Sequence, residues 1–257
     1  MPIARQPTPP ASVPFVGLPG VWRSSELGQH PNPVQATGWA QLDAELPGGG
    51  WPSRSLTEVL LPQPATLEWR LLGPALGKLA SAGRQIAAIA PPHQPYLPGL
   101  QQNGLHAQRL VWIRADKPAE RLWATEQLIK ANACGAVLAW LPQARPEQVR
   151  RLQVCAQSCD GLVFLCRPES TRHESSAAPL RVLVRPALDW QLHLQILKRR
   201  GPTLDETIRL ASTPGGLVNL ITPRLEHPSR FFRQEAPAHA VDRPVAINAF
   251  APSAAVQ

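Results

Sequence analysis

The sequence predicts an α/β fold, a mostly parallel sheet flanked by helices and extended by a C-terminal antiparallel hairpin. Three observations carry the fold class. Apolar runs too continuous for half-buried strands recur between amphipathic helical stretches, as in a sheet covered on both faces. The alternation strand, helix, strand is kept from residue 55 to 166. After residue 180 the pattern switches to period two, the mark of an antiparallel extension.

The elements follow in order. A short helix is expected over 21–27, with Ser24 as a cap candidate. Trp39, Leu42 and Leu46 share one face of a helix that Pro47-Gly48-Gly49-Gly50 ends. Strands are expected over 55–61, 84–90, 109–114, 135–141 and 161–166. Helices are expected over 66–82, 96–103, 118–131, where Pro118 suits a first turn, and 146–157. Residues 167–179 are polar and read as a loop. Residues 180–186 and 190–198 alternate, with Trp190, Leu192, Leu194 and Ile196 on one side and Gln191, His193 and Gln195 on the other. Three regions result: a Pro-rich N-terminal arm over 1–20, expected to be disordered, a core over 21–204, and a Pro-rich basic tail over 205–257 suited to partner docking.

Composition narrows the function classes. The chain has 257 residues, 44% of them hydrophobic, enough for a sizeable core. Mean hydropathy is −0.16. No run approaches a membrane span of about 20 apolar residues, and the start MPIARQPTPP lacks the apolar stretch of a signal peptide. A cytoplasmic protein without membrane contact is expected. Lys+Arg is 26 against 18 for Asp+Glu, a net charge of +8, which suggests an anionic partner such as DNA. The four cysteines, Cys134, Cys155, Cys159 and Cys166, show no CxxC or Cys–His pairing and read as buried thiols; no metal is expected.

The loop after the first main strand is where a nucleotide-binding sheet cradles phosphate. Here it reads Leu61, Pro62, Gln63, Pro64, Ala65, Thr66, Leu67, Glu68. It has no glycine or lysine, its prolines remove backbone donors, and Glu68 adds negative charge. Pro47-Gly48-Gly49-Gly50-Trp51-Pro52 precedes the strand and reads as a turn. No cofactor is expected. No GxSxG, paired carboxylates or Cys/His signature supports other catalysis.

Several short motifs occur in a familiar order. Thr37-Gly38, Leu42-Asp43 and the Gly-rich turn resemble the entry to the RecA core. Trp22-Arg23, Leu46 to Pro52, Ala90-Pro91-Pro92-His93 with Tyr96, and Leu197-Lys198-Arg199-Arg200-Gly201 resemble the ImuA family. These are translesion DNA synthesis-associated proteins related to RecA and to the SulA cell-division inhibitor. The resemblance covers about 21–201. It places the phosphate-loop lysine and threonine on Leu67 and Glu68, the catalytic glutamate near Pro92 or His93, and the magnesium-supporting acid on Trp140. It therefore implies a non-enzymatic protein of the SOS response. The implied partners are ImuB, through it the ImuC polymerase, DNA, and further copies of the chain. The alternatives are a SulA-type inhibitor binding a division protein and a recombinase-type ATPase.

Two sites are weighed for nucleic-acid or partner contact. Lys198, Arg199 and Arg200 close the hairpin and suit a phosphate backbone, or else a solvated turn. Arg230, Phe231, Phe232 and Arg233 suit a docking peptide, packing on the chain's own core, or base stacking. Arg150-Arg151 is a weaker candidate. Trp39, Trp69, Trp112 and Trp140 are expected in or near the core, and Trp22 and Trp51 at an interface.

Overall fold

A computed structural model describes residues 32–64, 67–213 and 221–232. The expected helix over 21–27 lies outside them. Val34–Gln35 (β1) and Trp51–Pro52 (β2) pair antiparallel, and Ala40–Glu45 (α1) lies between them. The main elements follow: Leu56–Leu61 (β3), Leu67–Ser81 (α2), Ile86–Ile89 (β4), Leu97–Gln101 (α3), Leu110–Ile113 (β5), Pro118–Ala131 (α4), Ala136–Trp140 (β6), Pro146–Ala156 (α5) and Leu162–Pro168 (β7). Then come Leu180–Pro186 (β8), Gln191–Lys198 (β9), Thr207–Ala211 (β10), Pro223–Glu226 (α6) and Ser229–Phe232 (α7).

The eight-stranded sheet has the order β10-β9-β8-β3-β7-β6-β4-β5. Strands β8, β3, β7, β6, β4 and β5 are parallel to their neighbours in that run. Strands β9 and β10 continue it antiparallel. The predicted fold class is therefore present, hairpin included.

The apolar runs of the central strands reflect burial on two sides. On β4, Ile86 and Ala88 join the core under α1, α2 and α3, while Ala87 and Ile89 join the core under α4 and α5. All six residues of β3 are buried. The turn before α1 lies so close to α2 that a Cβ on Gly38 would sit 2.4 Å from Cβ of Pro74; with φ at +90°, only glycine suits that position.

Two regions differ from the sequence reading. Residues 167–179 are not plain loop. Glu58 on β3, 0% exposed, is held by Arg167 Nη1 at 3.1 Å and Arg181 Nε at 2.5 Å. Arg167 also reaches Glu174, and Arg181 donates to the carbonyls of Thr171, Arg172 and Glu174. The buried charges thus fix the 3₁₀ turn Glu169–His173 against the sheet. Second, the region read as tail begins with a strand. Ile208 and Leu210 of β10 point into the core, and Thr207, Arg209 and Ala211 point out. Five alternating residues after a Gly-Pro turn are too short a signal to separate from the surrounding loop.

Candidate functional site

The end of β3 is the natural place to look for a ligand, because a parallel sheet presents its connecting loops there. Leu61 is buried, and Pro62, Gln63 and Pro64 form an exposed turn. Ala65 and Thr66 lie outside the described residues. Helix α2 then opens by turning Leu67 and Glu68 inward, with Glu68 at 0% exposure. Trp140, at the end of β6, donates its Nε1–H to Glu68 Oε1 at 2.5 Å. Trp69 lies on Trp140 with ring centroids 5.6 Å apart. Burial, reinforced by the Glu68 charge, pushes the nearby Cys166 thiol well up. The position that the resemblance gives to the phosphate-loop threonine and the one it gives to the magnesium-supporting acid thus meet each other.

Beside this closure lies an open groove. Trp39, Trp69, Arg70, Pro74, Pro95 and Tyr96 are among its lining residues. Trp39 is held in place by its Nε1–H bond to the Leu71 carbonyl at 2.8 Å. Arg70 donates through Nη2 to the Trp190 carbonyl at 2.8 Å and to Ser212 Oγ at 2.5 Å. Burial holds its guanidinium below the ordinary arginine value. Pro92 and His93 are exposed at the rim of this region.

The Gly-rich segment serves packing. A Cβ on Gly50 would come within 2.4 Å of the Gln35 carbonyl oxygen, so glycine lets β1 and β2 approach. The neighbouring Trp51 is corrected from its expected interface role. It is 0% exposed and meets Phe164 edge-on at 5.4 Å. Trp39, Trp69 and Trp112 are half-buried, and Trp140 is in the core. Trp123 on α4, which the sequence reading passed over, is 65% exposed.

The basic candidates divide by what their donors touch. Lys198 Nζ bonds the Ser176 carbonyl at 2.8 Å. Arg199 Nε bonds the Pro202 carbonyl at 2.7 Å, and its Nη1 reaches both the Glu45 carbonyl and the Glu45 carboxylate. Arg200 is exposed. Arg199 and Arg200 line a hollow with Asn32, Val34, Pro47 and Pro179. Arg151 clamps Glu126 of α4 at 2.5 Å, while Arg150 faces outward.

The described part of the tail is bonded to the turn between β8 and β9. Trp190 Nε1–H donates to the Leu225 carbonyl at 2.9 Å. Asp189 accepts from the Ser229 amide at 3.0 Å and hydroxyl at 2.6 Å. The Ser229 hydroxyl bond, then the amide bond, holds the Asp189 carboxyl below its ordinary value. Arg230 is exposed. The side chains of Phe231 and Phe232, and Arg233 entirely, lie outside the described residues. Charge counting also corrects the basic character expected of this tail. Residues 205–257 hold Arg209, Arg224, Arg230, Arg233 and Arg243 against Asp205, Glu206, Glu226, Glu235 and Asp242 and are neutral.

Of the thiols, Cys134, Cys159 and Cys166 are buried and Cys155 is half-buried. Among the described residues no three His, Cys, Asp or Glu side chains gather as metal ligands. None of the described helices is long and apolar enough to cross a membrane.

No family model matches the chain. It is similar to proteins named cell division inhibitor SulA. The relative from Pectobacterium carotovorum is 29% identical over 117 residues, 45% of this chain and 70% of the relative. Those from Pectobacterium atrosepticum and Edwardsiella piscicida are 28% and 27% identical, covering 45% and 42% of this chain and 69% and 65% of theirs. The SulA side of the expected resemblance is thus present in the comparisons, over somewhat less than half the chain.

Proposed function

We propose that this chain is a non-catalytic protein of the SOS response that acts by holding another protein, in the manner of a SulA-type inhibitor bound to a division protein. The observation that carries the non-catalytic part is the Glu68–Trp140 bond. Phosphoryl transfer depends on a cradle for the phosphates and a cation to neutralise them. A buried carboxylate capped by an indole, behind a turn with two prolines, supplies neither. The similarity to SulA proteins supports the partner class.

Overexpression tests the reading. Cells should filament, and the filamentation should vanish in a strain whose division protein cannot be bound. The purified chain should turn over no ATP with or without single-stranded DNA. Normal division on overexpression rejects the division-protein partner; turnover lost on substituting Gln63 or Glu68 rejects the non-catalytic reading.

A second reading keeps the scaffold and changes the partner. Its motivation is the motif order from Trp22-Arg23 to Gly201, which spans more of the chain than the SulA matches do. On this reading the chain holds ImuB, and through it ImuC, at damaged DNA. Co-purification with ImuB and DNA binding that weakens steeply with salt support it. Absence of both refutes it.

A further inference from the structure

The groove beside α2 and α3 has a composition that selects its ligand. Two indoles, from Trp39 and Trp69, and the phenol of Tyr96 share it with the rings of Pro74 and Pro95. Tyr96 is 75% exposed although it is large and aromatic. Arg70 also lines the groove, its guanidinium fixed by the Trp190 carbonyl and Ser212. Flat aromatic faces are what polyproline II ligands need. Their proline rings stack on aromatic side chains, and their carbonyls have no internal partner.

The same chain carries such a segment. Residues 2–19 include Pro2, Pro7, Pro9, Pro10, Pro14 and Pro19, one basic residue, Arg5, and no acidic residue. Pro7 and Pro10 are three apart, so in a helix of three residues per turn they share one edge. Prolines beyond Phe232 are isolated at 237, 244 and 252 and offer no such edge. Reach is sufficient. Asn32 precedes Trp39 by seven residues, at most roughly 25 Å of chain. The segment from Pro19 to Asn32 spans up to roughly 45 Å when extended, enough to fold back.

From these features we infer that the groove is the docking site of the chain's own N-terminal Pro-rich arm, residues 7–15, bound as a polyproline II segment. Pro7 and Pro10 lie on the Trp69 and Tyr96 rings, and Phe15 follows toward α3. The inference is independent of which protein the chain holds elsewhere.

The test uses the full chain with a photo-crosslinking phenylalanine analogue at position 15. Irradiation followed by peptide mapping should place the crosslinks within the same molecule, on residues 69–74 and 93–100. Pro7→Ala with Pro10→Ala should lower that yield roughly tenfold, the scale of losing an anchor contact. Tyr96→Ala should lower it similarly, and since Tyr96 is exposed the fold survives that change. Crosslinks scattered over the surface, crosslinks between two copies, or a yield indifferent to all three substitutions would each overturn the proposal.

Discussion

Replacing Trp140 by phenylalanine tests whether the closed strand ends are held by a specific bond. The indole is 2% exposed and its partner carboxylate is fully buried. Phenylalanine keeps an aromatic ring for Trp69 but removes the Nε1–H. A hydrogen bond to a charged group contributes about 1.5–3 kcal/mol. The smaller ring adds a cavity cost of about 1 kcal/mol. Together the substitution should cost about 2.5–4 kcal/mol. For a chain of this size each kcal/mol lowers Tm by about 2–4 °C, so a fall of about 5–15 °C is expected. Urea unfolding followed by circular dichroism avoids relying on the altered tryptophan signal. A cycle with Glu68→Gln isolates the pair, and residues in contact should couple by about 1 kcal/mol or more. Magnesium-ATP should raise Tm in neither the parent nor the variant, since a ligand stabilises only what it binds. A cost below about 1 kcal/mol, with no coupling to Glu68, would refute the idea that this bond closes the site.

Three further outcomes are expected. Glu58→Gln leaves two nearly buried guanidiniums facing a neutral amide and should cost about 3–5 kcal/mol, against less than about 1 kcal/mol for exposed Arg54→Ala; comparable urea midpoints for the two would contradict the network. Native-state labelling by a disulfide reagent should modify Cys155 first, with Cys134, Cys159 and Cys166 reacting only on unfolding, because burial withholds these three and raises their thiols; early reaction of Cys166 would contradict its placement. Because Asp189 is held below its ordinary value when folded, its contact with Ser229 contributes fully above that value and is lost as pH falls through the lowered one; Ser229→Ala should move the Asp189 carboxyl titration upward by NMR, and an unmoved titration would place the tail elsewhere.

The central sheet was legible because its strands are buried on both faces and proline opens two of the long helices between them. Pro118 and Pro146 start α4 and α5 where expected. What escaped was short or non-local. The strands β1, β2 and β10 are two to five residues long, below the length at which alternation separates from chance. That residues 61–68 lack glycine and lysine is plain from the sequence, but the contact that Glu68 makes is not. Glu68 and Trp140 are 72 positions apart, and only the sheet order brings them together. Trp51 was misplaced for the opposite reason. A turn neighbour usually signals exposure, yet β1 and β2 lie close enough for its ring to enter the core beside Phe164.

The net charge of +8 means something different once each cation is followed to its partner. Neither terminal region accounts for it, since residues 205–257 are neutral and residues 1–31 hold only Arg5 and Arg23 against Glu26. The excess lies in the folded core, where arginine binds the protein's own backbone. Arg70, Arg84, Arg109, Arg121, Arg167, Arg181 and Arg199 each donate to at least one main-chain carbonyl. Arginine suits this because its planar fork reaches two or three acceptors at once. A carbonyl-bonded guanidinium keeps its charge but loses its reach, because turning toward a phosphate would leave a carbonyl unpaired. Long-range attraction of an anion therefore survives, while close phosphate contact is left to outward side chains such as Lys78, Lys130, Arg150, Arg200 and Arg209. Basicity here reflects how the loops are tied to the sheet as well as what the surface meets.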